Sequence, residues 1–127
     1  MEFTLNAEFD VSPKQLFQAW LSSKAHTEMT GGKAKINNKQ GASFSAWDGY
    51  IKGKNLIIEP FSRIIQSWRT SDFDESEEDS QVELLLLEKD SGTRLTLIHK
   101  NLGVDGEKYK SGWIDNYFKP MQDYFDA

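Results

Sequence analysis

Cysteine is absent from this 127-residue chain, which excludes disulfides, thiolate metal sites and cysteine nucleophiles. Histidine occurs only as His26 and His99; these are too far apart for a zinc signature, and no Ser–His–Asp set can be assembled by spacing. Long apolar runs are also missing. Nothing approaches the roughly 20 residues needed to cross a bilayer, and the opening MEFTLNAEFD has no basic stretch followed by an apolar one. Basic residues are outnumbered 15 to 20, a formal charge of −5. Phosphate binding needs a concentrated basic face, so neither nucleic acid nor an anionic membrane is an expected partner. Cytoplasmic residence is the default expectation, and no metal or other cofactor is called for.

What is present is enough for a packed core. Hydrophobic residues make up 38% and aromatics 13% of the chain, a folded rather than a disordered composition. No repeat or linker divides it, so one domain over residues 1–127 is expected. The coarse order reads strand, two short helices, six further strands, long helix. Phe3, Leu5, Ala7 and Phe9 alternate with polar residues, as in a half-buried strand. Ser12 and Pro13 form a favoured helix start, and Leu16, Phe17, Trp20 and Leu21 give that helix its apolar face. A second helix over Ser23 to Met29 stops at Gly31-Gly32, and Ala34 to Asn37 reads as a short strand.

Asp48-Gly49 lies between two runs of β-formers and predicts a two-residue hairpin turn. Phe44, Ala46 and Ile51 then share one face, with Ser45, Trp47, Tyr50 and Lys52 on the other. Pro60 ends the second strand because it has no N–H to donate. Ile64 to Arg69 follows, with Trp68 inward and Arg69 outward. Gln81 to Lys89 and Thr93 to Lys100 flank an Asp90-Ser91-Gly92 turn; Leu84 to Leu87 is apolar on both faces, which places this strand centrally or near helices. On the final helix Tyr109, Trp113, Ile114, Tyr117, Phe118, Met121, Tyr124 and Phe125 recur at helical spacing. Pro120 interrupts it and predicts a kink or bulge near Asn116.

A single antiparallel sheet must bury its apolar face, and the aromatic helix is the one element large enough to cover it. A tapering space is expected between them. Its candidate lining is Trp68, Leu84, Leu86, Leu95, Leu97 and His99 from the sheet, with Trp113, Tyr117 and Met121 from the helix. The same bulk serves equally well to fill the space completely. His26, among polar neighbours, is expected at the surface, whereas His99 is in phase with Leu95 and Leu97 and is expected inside.

Gly41, Phe44, Trp47-Asp48-Gly49, Ile51, Gly53, Leu56, Pro60, Ile64 and Ser67-Trp68-Arg69 stand in an order that resembles the C-terminal-type domain of the activator of heat-shock protein 90 ATPase family. Gly92-Thr93-Arg94-Leu95-Thr96-Leu97 and Gly112-Trp113 extend the resemblance over essentially the whole chain. It implies an α+β helix-grip fold of the START-like (SRPBCC) superfamily, a curved antiparallel sheet wrapped around a long C-terminal helix. Relatives of this shape hold apolar molecules between sheet and helix, so an apolar small molecule is an expected partner. Heat-shock protein 90 is the alternative that the family name implies. The Asn-rich, Trp-containing motif of eukaryotic activators is not matched by Ile36-Asn37-Asn38-Lys39. A cyclase or hydrolase is the third reading, but its inward candidates would be only His99, Arg69 and some tyrosines, so no enzyme is expected.

The run Asp72 to Asp79 holds six acidic residues in eight. It lacks the glycine and terminal glutamate of an EF-hand and reads as a solvated loop. As a contact for a basic protein partner, its candidates are Asp74, Glu75, Glu77 and Glu78. The glycines at 31, 32, 103 and 106 read as turns rather than phosphate loops.

Overall fold

The structure, a computed structural model, describes residues 1–126; Ala127 lies outside them. Its elements are β1 (Phe3–Phe9), α1 (Pro13–Trp20), α2 (Ser23–Thr30), β2 (Ser43–Ala46), β3 (Ile51–Glu59), β4 (Arg63–Thr70), β5 (Ser80–Lys89), β6 (Gly92–Lys100), α3 (Lys108–Trp113) and α4 (Lys119–Asp126), the last two joined by a π-helical turn, Ile114–Phe118. The strands form one antiparallel sheet in the order β1-β6-β5-β4-β3-β2. This is the helix-grip arrangement.

Local chemistry accounts for most boundaries. The Ser12 hydroxyl accepts the Gln15 N–H at 3.2 Å and Pro13 opens α1. Ser22 caps α2 through the Ala25 N–H, and Gly31 closes it at φ 85°, a left-handed conformation that glycine adopts without penalty. The expected strand at Ala34 to Asn37 does not form. Ser23 Oγ donates to the Ile36 carbonyl and accepts its N–H, while Thr27 Oγ1 accepts the Ala34 N–H. These bonds hold the segment against α2 and leave one bridge, Lys35 to Ser45. The sheet therefore has six strands, five of them after the helices rather than six.

The hairpin at Asp48-Gly49 exists, but its turn is longer than expected. Ala46 pairs with Ile51, so four residues intervene, and Trp47, Asp48 and Gly49 all take positive φ. The tight two-residue turn lies instead at Asp90-Ser91, between paired Lys89 and Gly92, with φ of 50° and 71°, the signs a type I′ turn requires. Gly92 must be glycine here, because a Cβ would stand 2.4 Å from the Phe9 carbonyl oxygen.

The inner face of the sheet carries the core. Ile64, Trp68, Val82, Leu84, Leu95 and Leu97 are buried there under the C-terminal helix. Strand β5 lies centrally, as its apolar run predicts, and its outer side is partly open to solvent. Leu85 is half-buried and Leu87 exposed. On the C-terminal helix Trp113, Tyr117, Phe118 and Met121 are buried, and Tyr109, Tyr124 and Phe125 half-buried. Ile114, expected on this face, is exposed; Trp113, just before the π turn, and Tyr117, within it, take the inward positions. That turn spans Asn116, the residue whose carbonyl Pro120 cannot serve as a donor, so the local bulge falls where the proline predicts it.

Candidate functional site

Beneath the helix, the space between sheet and helix is largely filled by rings. Trp68 meets Trp113 at 5.0 Å between centroids, Trp113 meets Tyr117 at 4.9 Å, and Trp20 reaches Tyr117 at 5.1 Å. Phe44 closes on Trp68 from β2 at 5.6 Å. Such tilted pairs add attraction beyond the area they bury.

Two buried histidines fasten this cluster. The Trp113 indole N–H donates to His99 Nδ1 at 3.1 Å, so the ring proton of His99 sits on Nε2. That N–H faces Ser80 Oγ at 2.8 Å, and the Ser80 hydroxyl donates onward to the Trp68 carbonyl at 2.6 Å. The chain has one polarity from helix to sheet, and it requires a neutral imidazole. Burial pushes the His99 pKa down to about 4. His26 has the opposite tautomer. Its Nδ1 can only donate to the Trp20 carbonyl, at 2.9 Å, which leaves Nε2 to accept the Tyr117 hydroxyl at 3.0 Å. Burial lowers the His26 pKa, opposed by the bond to Trp20, and raises that of Tyr117. The surface position expected for His26 is thus corrected: it is 1% exposed, because a partner 91 residues away in sequence supplies the bond that makes burial affordable.

A third polar chain, buried among apolar side chains, ties the sheet to the loop before β2. Trp20 Nε1 donates to Gln66 Oε1, Gln66 Nε2 to Asn55 Oδ1, and Asn55 Nδ2 to the carbonyls of Asn37 and Lys39. No buried side-chain nitrogen or oxygen lacks a partner among the described residues.

One end of the sheet–helix space stays open as a cleft of about 250 Å³. Trp47, Tyr50 and Ile51 line it from the β2–β3 hairpin; Trp68, Thr70 and Asp72 from β4 and the loop after it; Tyr109, Gly112, Trp113, Asn116 and Tyr117 from the helix, with Lys108 at the rim. Trp47 was expected on the outer face. Its positive φ turns the side chain inward instead, its ring meets Tyr117 edge-on at 6.4 Å, and Gly32 leaves room for it, since a Cβ there would lie 2.5 Å from the indole. Polar bonds stand at the rim. The Tyr50 hydroxyl donates to Asp72 at 2.6 Å, and Tyr109 and Thr70 share a hydrogen bond of 2.9 Å. Burial and then the Asp72 bond push the Tyr50 pKa up to about 12.

Of the cavity residues read from sequence, the structure brings Trp68, Trp113 and Tyr117 to the cleft. Leu84, Leu86, Leu95, Leu97, His99 and Met121 lie in the packed interior, away from its walls. Trp47, Tyr50, Tyr109, Gly112 and Asn116 were not anticipated as lining; the bulge expected at Asn116 was the available signal. The acidic run forms the β4–β5 loop, folded over Arg69, whose guanidinium donates to the Glu77 and Asp74 carbonyls and to the Asp79 carboxylate. Asp74, Glu75 and Glu78 are exposed and Glu77 half-buried. Trp68 is buried and Arg69 points the other way, as strand alternation requires. Among the described residues no three His, Asp or Glu side chains are grouped to hold a metal, and no helix is long and apolar enough to cross a membrane.

A family model described as Activator of Hsp90 ATPase homolog 1-like protein matches residues 10–126. The chain belongs to this family. It is 24% identical over 122 residues to an activator of 90 kDa heat shock protein ATPase homolog from Dictyostelium discoideum, covering 95% of this chain and 32% of that protein. The human activator homolog 1 is 22% identical, over 98% of this chain and 37% of its own length. The chain therefore spans about a third of the length of these curated relatives. Among solved structures, an HSP90 activator from Plasmodium falciparum superposes with a TM-score of 0.87 at 28% identity, over 98% of this chain and 95% of that one.

Proposed function

We propose that this family member binds a small apolar molecule in the cleft beside the C-terminal helix and does so without catalysis. The observation that carries this reading is the cleft itself, open at its rim and walled by Trp47, Trp68, Trp113 and Tyr117. At about 250 Å³ it lies just under the usual ~300–1,000 Å³ of ligand pockets, which favours a two-ring molecule over a long acyl chain or sterol. Both histidines are occupied by bonds at both ring nitrogens, so neither offers a free base to a substrate. The test is titration with a neutral naphthyl alcohol followed through the indole N–H resonances. Those of Trp47, Trp68 and Trp113 are expected to move while that of Trp20, which is outside the cleft, moves least. Uniform or absent shifts overturn the reading.

A second reading, contact with Hsp90, is favoured by the match to the Plasmodium HSP90 activator over nearly the full length of both chains. On this reading the exposed outer surface makes the contact, with the acidic β4–β5 loop steering a basic partner. Neutralising Asp74, Glu75, Glu77 and Glu78 together is expected to slow association and flatten its salt dependence. The ATPase rate of the host's own Hsp90, measured with and without the protein, decides it; no stimulation and no binding at low salt overturn this second reading.

A further inference from the structure

The cleft rim already holds one organic cation, supplied by the chain itself. Lys108 Nζ stands 5.3 Å from the centre of the Tyr109 ring, 3.6 Å from Asp105 and 4.0 Å from Asp72. An ammonium on an aromatic face beside carboxylates is the arrangement that recognises alkylammonium groups. Two carboxylates face this single ammonium, of which Asp72 lines the cleft and Asp105 is outside its lining. Lys108 is also a loose occupant: its side chain is 47% exposed, and its bond to Asp72 is at the limit of an ion pair. The Tyr50 hydroxyl and Lys108 both address Asp72 through Oδ2, which leaves Oδ1 without a side-chain donor among the described residues. Below the rim the walls are tryptophan and tyrosine rings, a surface suited to a flat apolar body.

The geometry points to an amphipathic amine as the ligand class: a compact aromatic body among Trp47, Trp68 and Trp113, with a protonated amino group that takes the place of Lys108 between Tyr109 and Asp72. This rests on the reading of the cleft as a binding site and adds the charge of the ligand to it. A carboxylate of the same shape, such as a short aryl acid, meets like charge at the rim and is disfavoured. The chain's overall charge of −5 acts in the same direction by raising the local concentration of cations.

The experiment compares naphthylethylamine, naphthylethanol and naphthylpropionate on the full chain at neutral pH and low salt, read by calorimetry and by the indole N–H resonances. The amine is expected to bind about tenfold more tightly than the alcohol, and the carboxylate more weakly than either. Asp72→Asn is expected to remove most of that advantage, read as the ratio of amine to alcohol affinity within the same variant. Lys108→Met, at a half-exposed position whose change should not affect folding, is expected to tighten the amine by removing its internal competitor. Equal affinity for amine and alcohol, or no gain with Lys108→Met, overturns the amine assignment and leaves the cleft reading standing. Failure of all three molecules to bind overturns both.

Discussion

Replacing Trp68 by alanine is expected to destabilise the fold by about 3–5 kcal/mol, the range for deleting a large buried aromatic side chain. Trp68 is 2% exposed on the inner face of β4. Its indole meets rings from five other elements: Trp113 on α3, Phe44 on β2, Trp20 on α1, Tyr117 on the π turn and His99 on β6. No single neighbour can move to fill the hole, because each is fixed by a separate polar chain or strand pairing. Total domain stabilities run to only about 5–15 kcal/mol, so this one change removes a large share. Urea unfolding of the wild type and the variant measures it. A loss below about 1 kcal/mol would place Trp68 at the surface of the energetics rather than at the centre.

Acid is expected to undo the histidine clamps. An unfolded histidine takes up its proton near pH 6.5, whereas His99 in the fold does so only near 4. Over that interval the unfolded chain binds the additional proton, so stability is fully present above about pH 6.5 and falls as the pH is lowered towards 4. The displacement corresponds to about 3 kcal/mol for His99, and His26, also lowered by burial, acts with the same sign. Geometry gives the same answer. Protonation of His99 puts an N–H on Nδ1 directly against the Trp113 indole N–H, and two donors then oppose each other where one bond stood. Unfolding midpoints at a series of pH values should decline through this window, and a His99→Gln variant, less stable at neutral pH, should show a shallower slope. A wild-type midpoint that stays flat from pH 7 to 4 would contradict the neutral relay.

Which of these features could be read from sequence depended on how far away their causes lie. The start of α1 needs only Ser12 and Pro13, and the π turn needs only Pro120, so both were legible. The inward set Leu95, Leu97 and His99 followed from alternation along one strand. His26 was not legible, because α2 reads SKAHTEMT, mostly polar, and the residue that satisfies the buried imidazole is Tyr117 near the other end of the chain. Trp47 failed for a different reason. Alternation assumes extended backbone, and three successive positive φ angles break the count just where the side chain turns inward. The same three residues decide the candidate site: with Trp47 folded over Tyr117, the rings close the deep part of the expected cavity and leave the cleft at its mouth. Spacing could nominate Trp113, Tyr117 and Met121 as one face, but could not show that Met121 packs against a closed core while Gly112, which has no side chain, forms part of the open wall.

Gly112 also provides the most direct test of that cleft. It lies within α3, and a Cβ added there meets nothing nearer than Asn116 Nδ2 at 4.0 Å. A larger side chain therefore enters open space, and loss of a helical glycine favours the helix by up to about 1 kcal/mol. The decisive measurement is a parallel titration of wild type and Gly112→Leu with naphthylethanol, following the four tryptophan indole resonances. Saturable shifts of Trp47, Trp68 and Trp113 in the wild type, abolished in a Gly112→Leu protein that is at least as stable, are the predicted result. Titrations that are the same in both proteins, or a wild type that shows no shift at the highest soluble concentration, would contradict the cleft as the binding site.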